Sequence, residues 1–171
     1  MYDFIGNAHM SQGNLSSFTF DRFGNPNSAL SLNGGFTQVP PGYYFNSPQF
    51  SITVWIYPYK VGIWSRIFDF SNPGSNPIEE IFLSFSTSLS LFPTIRILSK
   101  TSTLIADSKS NFSLEVKKWY FLTATFNGSF LSLYVNGTLT NTSKVVSGQI
   151  PLVQRTNNFF GKSKEIKKNS I

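Results

Sequence analysis

The clearest pattern in the chain is strict alternation over Phe50-Ser51-Ile52-Thr53-Val54-Trp55-Ile56-Tyr57. Side chains on a strand alternate between faces. Phe50, Ile52, Val54 and Ile56 therefore share one face, and Ser51, Thr53, Trp55 and Tyr57 the other. Two aromatic rings on the second face argue against plain solvent surface, and Pro58, which lacks a backbone donor, ends the run. Shorter β-rich runs read as Trp64 to Phe70, Ile81 to Ser86, Thr94 to Ser99, Trp119 to Phe126, Ser129 to Val135 and Thr138 to Thr142. The last three are tied by Asn127-Gly128 and Asn136-Gly137. Asn-Gly supplies the two positive-φ residues of a type I′ turn, so residues 119–142 are predicted to form a three-strand meander. No stretch holds a 3.6-residue apolar period over eleven positions; the nearest helical candidate is one turn around Ser113 to Lys118. Short strands divided by Gly, Pro, Asn and Ser predict one all-β domain of two packed antiparallel sheets.

Composition agrees and removes several chemistries. Of 171 residues, 53 are Ser, Thr or Asn and 28 are aromatic, while only 13% are charged. Neutral polar faces with an aromatic core suit a β protein rather than a helical bundle or a disordered chain. With no Cys, disulfides, thiol catalysis and Cys-ligated metals are excluded. A single His excludes a multi-His metal site.

The net charge of +6 shrinks once it is located. Lys162, Lys164, Lys167 and Lys168 stand near the end against Glu165 alone, and the chain up to Phe160 carries 10 basic and 7 acidic residues. Such a tail reads as solvated, so no specific nucleic-acid binding is expected. No apolar run exceeds four residues, far below the ~20 of a membrane helix, so no membrane insertion is expected either. Met1-Tyr2-Asp3-Phe4 lacks the basic and apolar segments of a secretory signal. Five N-x-S/T sequons, at Asn14, Asn111, Asn127, Asn136 and Asn141, nevertheless favour an extracellular domain carried on a larger secreted chain. Asn111, beside the polar run Asp107 to Ser110, is the sequon expected to be most accessible.

Four blocks occur in a fixed order: "DRFGNPNSALSLNG" (Asp21 to Gly34), "FSITVWIYP" (Phe50 to Pro58), "WSRIFDF" (Trp64 to Phe70) and "KWYFLTATFNGSFLSLYVNG" (Lys118 to Gly137). Together they resemble the laminin-G-like domains of the concanavalin A-like lectin/glucanase superfamily, a pentraxin-related jelly roll, over about Tyr2 to Ser163. The resemblance implies a two-sheet antiparallel jelly-roll sandwich, an extracellular setting, a glycan or protein ligand and, in many members, Ca²⁺. Two departures stand out. Beyond Gly161 to Ser163 the family continues into a final strand, which "KEIKKNSI" does not reproduce. The expected domain is therefore residues 1–163 lacking its last family strand, with 164–171 a disordered basic tail. The missing strand would pair beside an N-terminal strand at Tyr2 to Ile5. The pentraxin-like Asp-Asn calcium pair is also absent from the matching stretch Ile78-Glu79-Glu80-Ile81-Phe82.

A glucanase on this scaffold needs two or three carboxylates on one strand face at E-x-D-x-E spacing. No such triplet occurs, and adjacent Glu79 and Glu80 would point to opposite faces. Asp69, three residues after Arg66, reads as a structural charge. His9 sits in a Gly/Asn/Ser-rich loop without a nucleophile motif. No enzyme is therefore expected; a glycoside hydrolase of the glucanase branch and a spacer domain without a ligand are the alternatives. Pyranose C–H faces pack on aromatic rings, which makes Tyr43, Tyr44, Tyr59 and Trp64 the ligand-binding candidates. Trp55 and Trp119 are assigned to packing. If Ca²⁺ binds, the hard oxygens available in one loop are those of Asp69, Asn72 and Asn76.

Overall fold

Alternation becomes a strand only where a neighbour supplies hydrogen bonds, and the computed structural model shows which runs find one. It describes residues 3, 5–11, 13–60, 62–72, 79–87, 90–99, 104–146, 149–150 and 152–162. Within them run β1 (Ser16–Thr19), β2 (Ala29–Leu32), β3 (Thr37–Val39), β4 (Phe50–Ile56), β5 (Arg66–Ser71), β6 (Glu80–Ser84), β7 (Thr94–Leu98), β8 (Leu104–Lys109), β9 (Tyr120–Phe126), β10 (Phe130–Val135), β11 (Thr138–Lys144) and β12 (Asn157–Phe160). Two antiparallel sheets face each other. One has the order β11-β10-β9-β4, the other β3-β12-β5-β6-β7-β8, and β1-β2 forms a separate hairpin.

The facing surfaces are the apolar rows that alternation marks. Val54, Leu122 and Val135 stand side by side across β4, β9 and β10. Opposite them, Phe70, Ile81, Ile97 and Ala106 run across β5 to β8. All of these but Val54 are buried, in one continuous core. At the β3–β12 end the core admits a cation. Arg155 is fully buried, donates to the Tyr44 carbonyl and pairs its backbone with Gly42. Burial pulls its guanidinium below the ordinary value, while Glu79 pushes the other way.

Three local expectations change. Asn136-Gly137 has φ of 51° and 80°, as a type I′ turn requires. At Asn127-Gly128, however, only Gly128 has positive φ, because Asn127 Oδ1 accepts the N–H groups of Ser129 and Phe130 and closes an Asx-type turn instead. Ser113 to Lys118 forms no helical turn. Its donors go elsewhere, Glu115 N–H to the Tyr120 hydroxyl and Lys117 N–H to the Pro58 carbonyl. Asp3 and Ile5, the described members of the expected N-terminal strand, lie in a turn closed by the Asp3 carboxylate on the N–H groups of Ile5, Gly6 and Ala8. Residues 164–171 lie outside the described residues.

Candidate functional site

The outward face of the six-stranded sheet gathers charge. Asp69 lies opposite Phe82, which lies opposite Arg96, which lies opposite Asp107, and Glu80 is one residue pair further along. Arg66 joins this row because a bulge at Ile67 turns it outward. Its Nε is 3.3 Å from Asp69 and its Nη2 3.6 Å from Glu80, while Arg96 holds Asp107 at 2.7 Å. Three carboxylates on one face is what the linear spacing concealed, since they come from three strands. Two of them are out of reach: Asp69 is 0% exposed and Glu80 3%. Glu79 faces the other way, accepting from Asn72 at 3.0 Å.

The cover over this face is the segment 62–65. Ser84 Oγ donates to the Ser65 carbonyl, Ser86 Oγ to the Gly62 carbonyl, and Phe85 N–H to Ser65 again. Trp64, held at φ 52°, meets Phe82 edge to face and stands 5.3 and 5.4 Å from the guanidiniums of Arg66 and Arg96. Trp64 is thus half-buried and committed to the ionic cluster.

A different arrangement lies beside β4. On one edge β4 pairs with β9; on the other it pairs with no described strand. Between that free edge and the β1-β2 hairpin runs a groove of about 710 Å³. Val54, Ile56 and Ile67 line it from the core side, and Phe20, Phe23, Trp55 and Tyr59 bring large rings to it. These rings are 62%, 70%, 41% and 62% exposed. Trp55 stacks on Phe121 at 5.1 Å, and Tyr57 bridges Tyr59 and Trp119 at 5.1 and 5.3 Å. Trp55 does not pack between the sheets, because the face it shares with Ser51 and Thr53 points outward; it packs against Phe121 and the Arg22 turn instead.

Of the ligand-binding candidates, only Tyr59 lines the groove. Tyr43 is exposed outside it. Tyr44 is structural: its hydroxyl donates to the Pro40 carbonyl, its ring meets Phe70 edge to face, and burial raises its pKa. Of the calcium candidates, the two described ones are each engaged by other side chains. Asp69 is held by Arg66 and Asn72 by Glu79, while Asn76 lies outside the described residues. Among the sequons, Asn14, Asn111, Asn127 and Asn136 are exposed and Asn141 is half-buried. The Oδ1 atoms of Asn127 and Asn136 are already engaged by backbone N–H groups. Sequence reasoning missed Phe20, Arg22 and Phe23. Their only signal was an Asp-Arg-Phe-Gly turn before a polar run.

Two antiparallel sheets of these orders define a jelly-roll β-sandwich. The chain belongs to the concanavalin A-like lectin/glucanases superfamily, through the Laminin_G_3 family model, which matches residues 24–170. No curated protein sequence matches it. Among solved structures it is similar to domain 4 of AbnA, a GH43 extracellular arabinanase from Geobacillus stearothermophilus, in complex with arabinotriose. That likeness has a TM-score of 0.56 at 15% identity and covers 85% of this chain and 72% of the other. It is also similar to the heptameric SAP-like pentraxin of Limulus polyphemus, with a TM-score of 0.44 at 16% identity, over 67% of this chain and 52% of that one. Among the described residues no helix is long and apolar enough to cross a membrane.

Proposed function

We propose that the domain is a non-catalytic recognition module of an extracellular protein and binds a glycan chain in the groove beside β4. One observation carries this reading: four large, exposed aromatic rings gather around a single groove in a protein whose other large rings are mostly packed. Such rings offer a saccharide's C–H faces an apolar partner without demanding catalysis. The arabinotriose bound to the structurally similar arabinanase domain adds a precedent on the same fold. The non-catalytic part is supported by the state of the carboxylates, since Asp69 and Glu80 are spent on Arg66 beneath cover. In a secreted setting Asn111 is the sequon that would carry sugar.

A glycan array probed with the folded domain, with and without Ca²⁺, tests the reading. Binding that Tyr59→Ala and Phe23→Ala abolish, with thermal unfolding unchanged, is the expected result. Absence of any glycan ligand in both conditions overturns it, as does capture of an extended peptide along the free edge of β4 in place of sugar. Hydrolysis of a β-glucan that disappears in Glu80→Gln or Glu79→Gln would overturn the non-catalytic assignment.

A further inference from the structure

We propose that the groove selects glycans carrying a carboxylate, that is, chains containing uronic acid, and that Arg22 reads that carboxylate; the inference rests on the glycan reading above. Arg22 packs against two rings. Its guanidinium carbon lies 3.8 Å from the Phe23 ring centre and 4.0 Å from that of Trp55, and Trp55 in turn stacks on Phe121. Two rings this close hold the guanidinium in place, and the N–H groups they do not cover are the part open to a ligand. Among the described residues these edges make no hydrogen bond and no ion pair.

The neighbouring acid does not fill the role. Asp21 accepts from the N–H groups of Phe23 and Asn25 and from Asn25 Nδ2, so its oxygens are spent on shaping the turn that presents Arg22. The other charged groups lining the groove are Lys60 and Arg66. Arg66 is matched by Asp69 and Glu80, so the groove is left with Arg22 and Lys60 against Asp21 alone. A planar carboxylate meets a pre-oriented guanidinium through two parallel charge-assisted N–H···O bonds. A neutral pentose or hexose seated over the same stack would desolvate the cation without giving it an acceptor, which penalises the wrong ligand. A carboxylate fits better than a densely sulfated chain, because two cations on a chain body of 10 basic and 7 acidic residues give no extended basic track.

Calorimetric titration of the domain with trigalacturonate, its methyl ester, arabinotriose and a sulfated trisaccharide distinguishes the cases. The acid should bind at least about tenfold more tightly than its ester, the scale of one charge-assisted pair. Arg22→Gln should abolish that preference. Arg22→Lys, which keeps the charge but not the fork, should restore only part of it, and serves as the informative variant if the Gln protein unfolds. Equal affinity for acid and ester overturns the role of Arg22 while leaving a glycan module. Sulfated sugar bound as tightly as the acid overturns the carboxylate preference. No binding of any saccharide overturns both the inference and the function beneath it.

Discussion

The two outward faces of this sandwich follow the same alternation and meet opposite fates. Over the four-stranded sheet the outward row is neutral but for Lys144 at one corner: Ser51, Thr53, Thr123, Thr125, Ser132 and Thr142, with Trp55 and Phe121 at one end. Over the six-stranded sheet it is ionic, with Arg66, Asp69, Glu80, Arg96 and Asp107 around Phe82, and Asp69 and Glu80 are as buried as the core. In a chain of 13% charged residues, these five and Lys109 beside Asp107 on β8 thus share one sheet face. The difference lies in what folds back. Segment 62–65 is drawn down by Ser84 and Ser86 and lays Trp64 over the ions, whereas nothing described covers Ser51 or Thr53. Alternation says which side points inward; it does not say that the other side meets water.

The harshest break of this comparison is Arg66→Ala. It removes the guanidinium that two buried carboxylates share, and breaking such a buried pair costs about 3–5 kcal/mol. Urea unfolding midpoints should show that loss. Replacing the whole cluster with apolar side chains of similar volume, Arg66→Met with Asp69→Leu and Glu80→Met, should recover most of it. An Arg66→Ala protein as stable as the parent would mean that the ionic face is solvated after all.

How much of this was legible follows from range of interaction. The seven-residue alternation of β4, the meander β9-β10-β11 and the strands β5 to β7 were visible, because period-2 pattern and Asn-Gly turns are local properties. Strands β1, β2, β3, β8 and β12 are not among the runs that local pattern marks. Leu104–Lys109 mixes Asp107, Ser108 and Lys109 into a strand defined by its pairing with β7 and its place in the core. Asn157–Phe160 is four residues held between β3 and β5. The site was less legible than the fold. Trp64 and Tyr59, five residues apart, end at different places, Trp64 over the ionic cluster and Tyr59 in the groove, and Arg22 meets Trp55 across 33 positions that no local pattern connects.

A middling effect tests the turn that joins two strands of the neutral-faced sheet. Gly137 has φ of 80°, and a Cβ there would touch nothing within 4 Å, so any penalty is conformational rather than steric crowding. Gly137→Val should cost about 1–2 kcal/mol, the scale of a left-handed β-branched residue. Unchanged thermal stability would refute the type I′ turn. Smaller still are the hydroxyls of that face. Ser132 and Thr142 share an exposed 2.7 Å contact, and Ser132→Ala should lower stability by no more than about 1 kcal/mol. A loss matching that of Arg66→Ala would erase the contrast between the faces.

The mildest test concerns a half-buried charge on the groove side, the counterpart of the fully buried ones. The Asn25 side-chain amide, with the backbone N–H groups of Asn25 and Phe23 and the nearby Arg22 cation, holds the Asp21 carboxyl below the ordinary aspartate value of 3.8. A depressed folded-state pKa means that the contribution is complete above the unfolded value and is lost as pH falls through the folded one. The turn that presents Arg22 should therefore stay intact through neutral and mildly acidic conditions. It should loosen only below pH 3.8, when the protonated carboxyl no longer accepts from these donors at full strength. In an NMR titration the Phe23 and Asn25 amide resonances should move together with a midpoint under 3.8, and Asp21→Asn should remove the transition. Because these hydrogen bonds all lie within residues 21–25, the movement should stay within the turn. A midpoint at or above 3.8 would show that the carboxylate does not organise this turn, and with it would go the reason for Arg22 being held in place against its two rings.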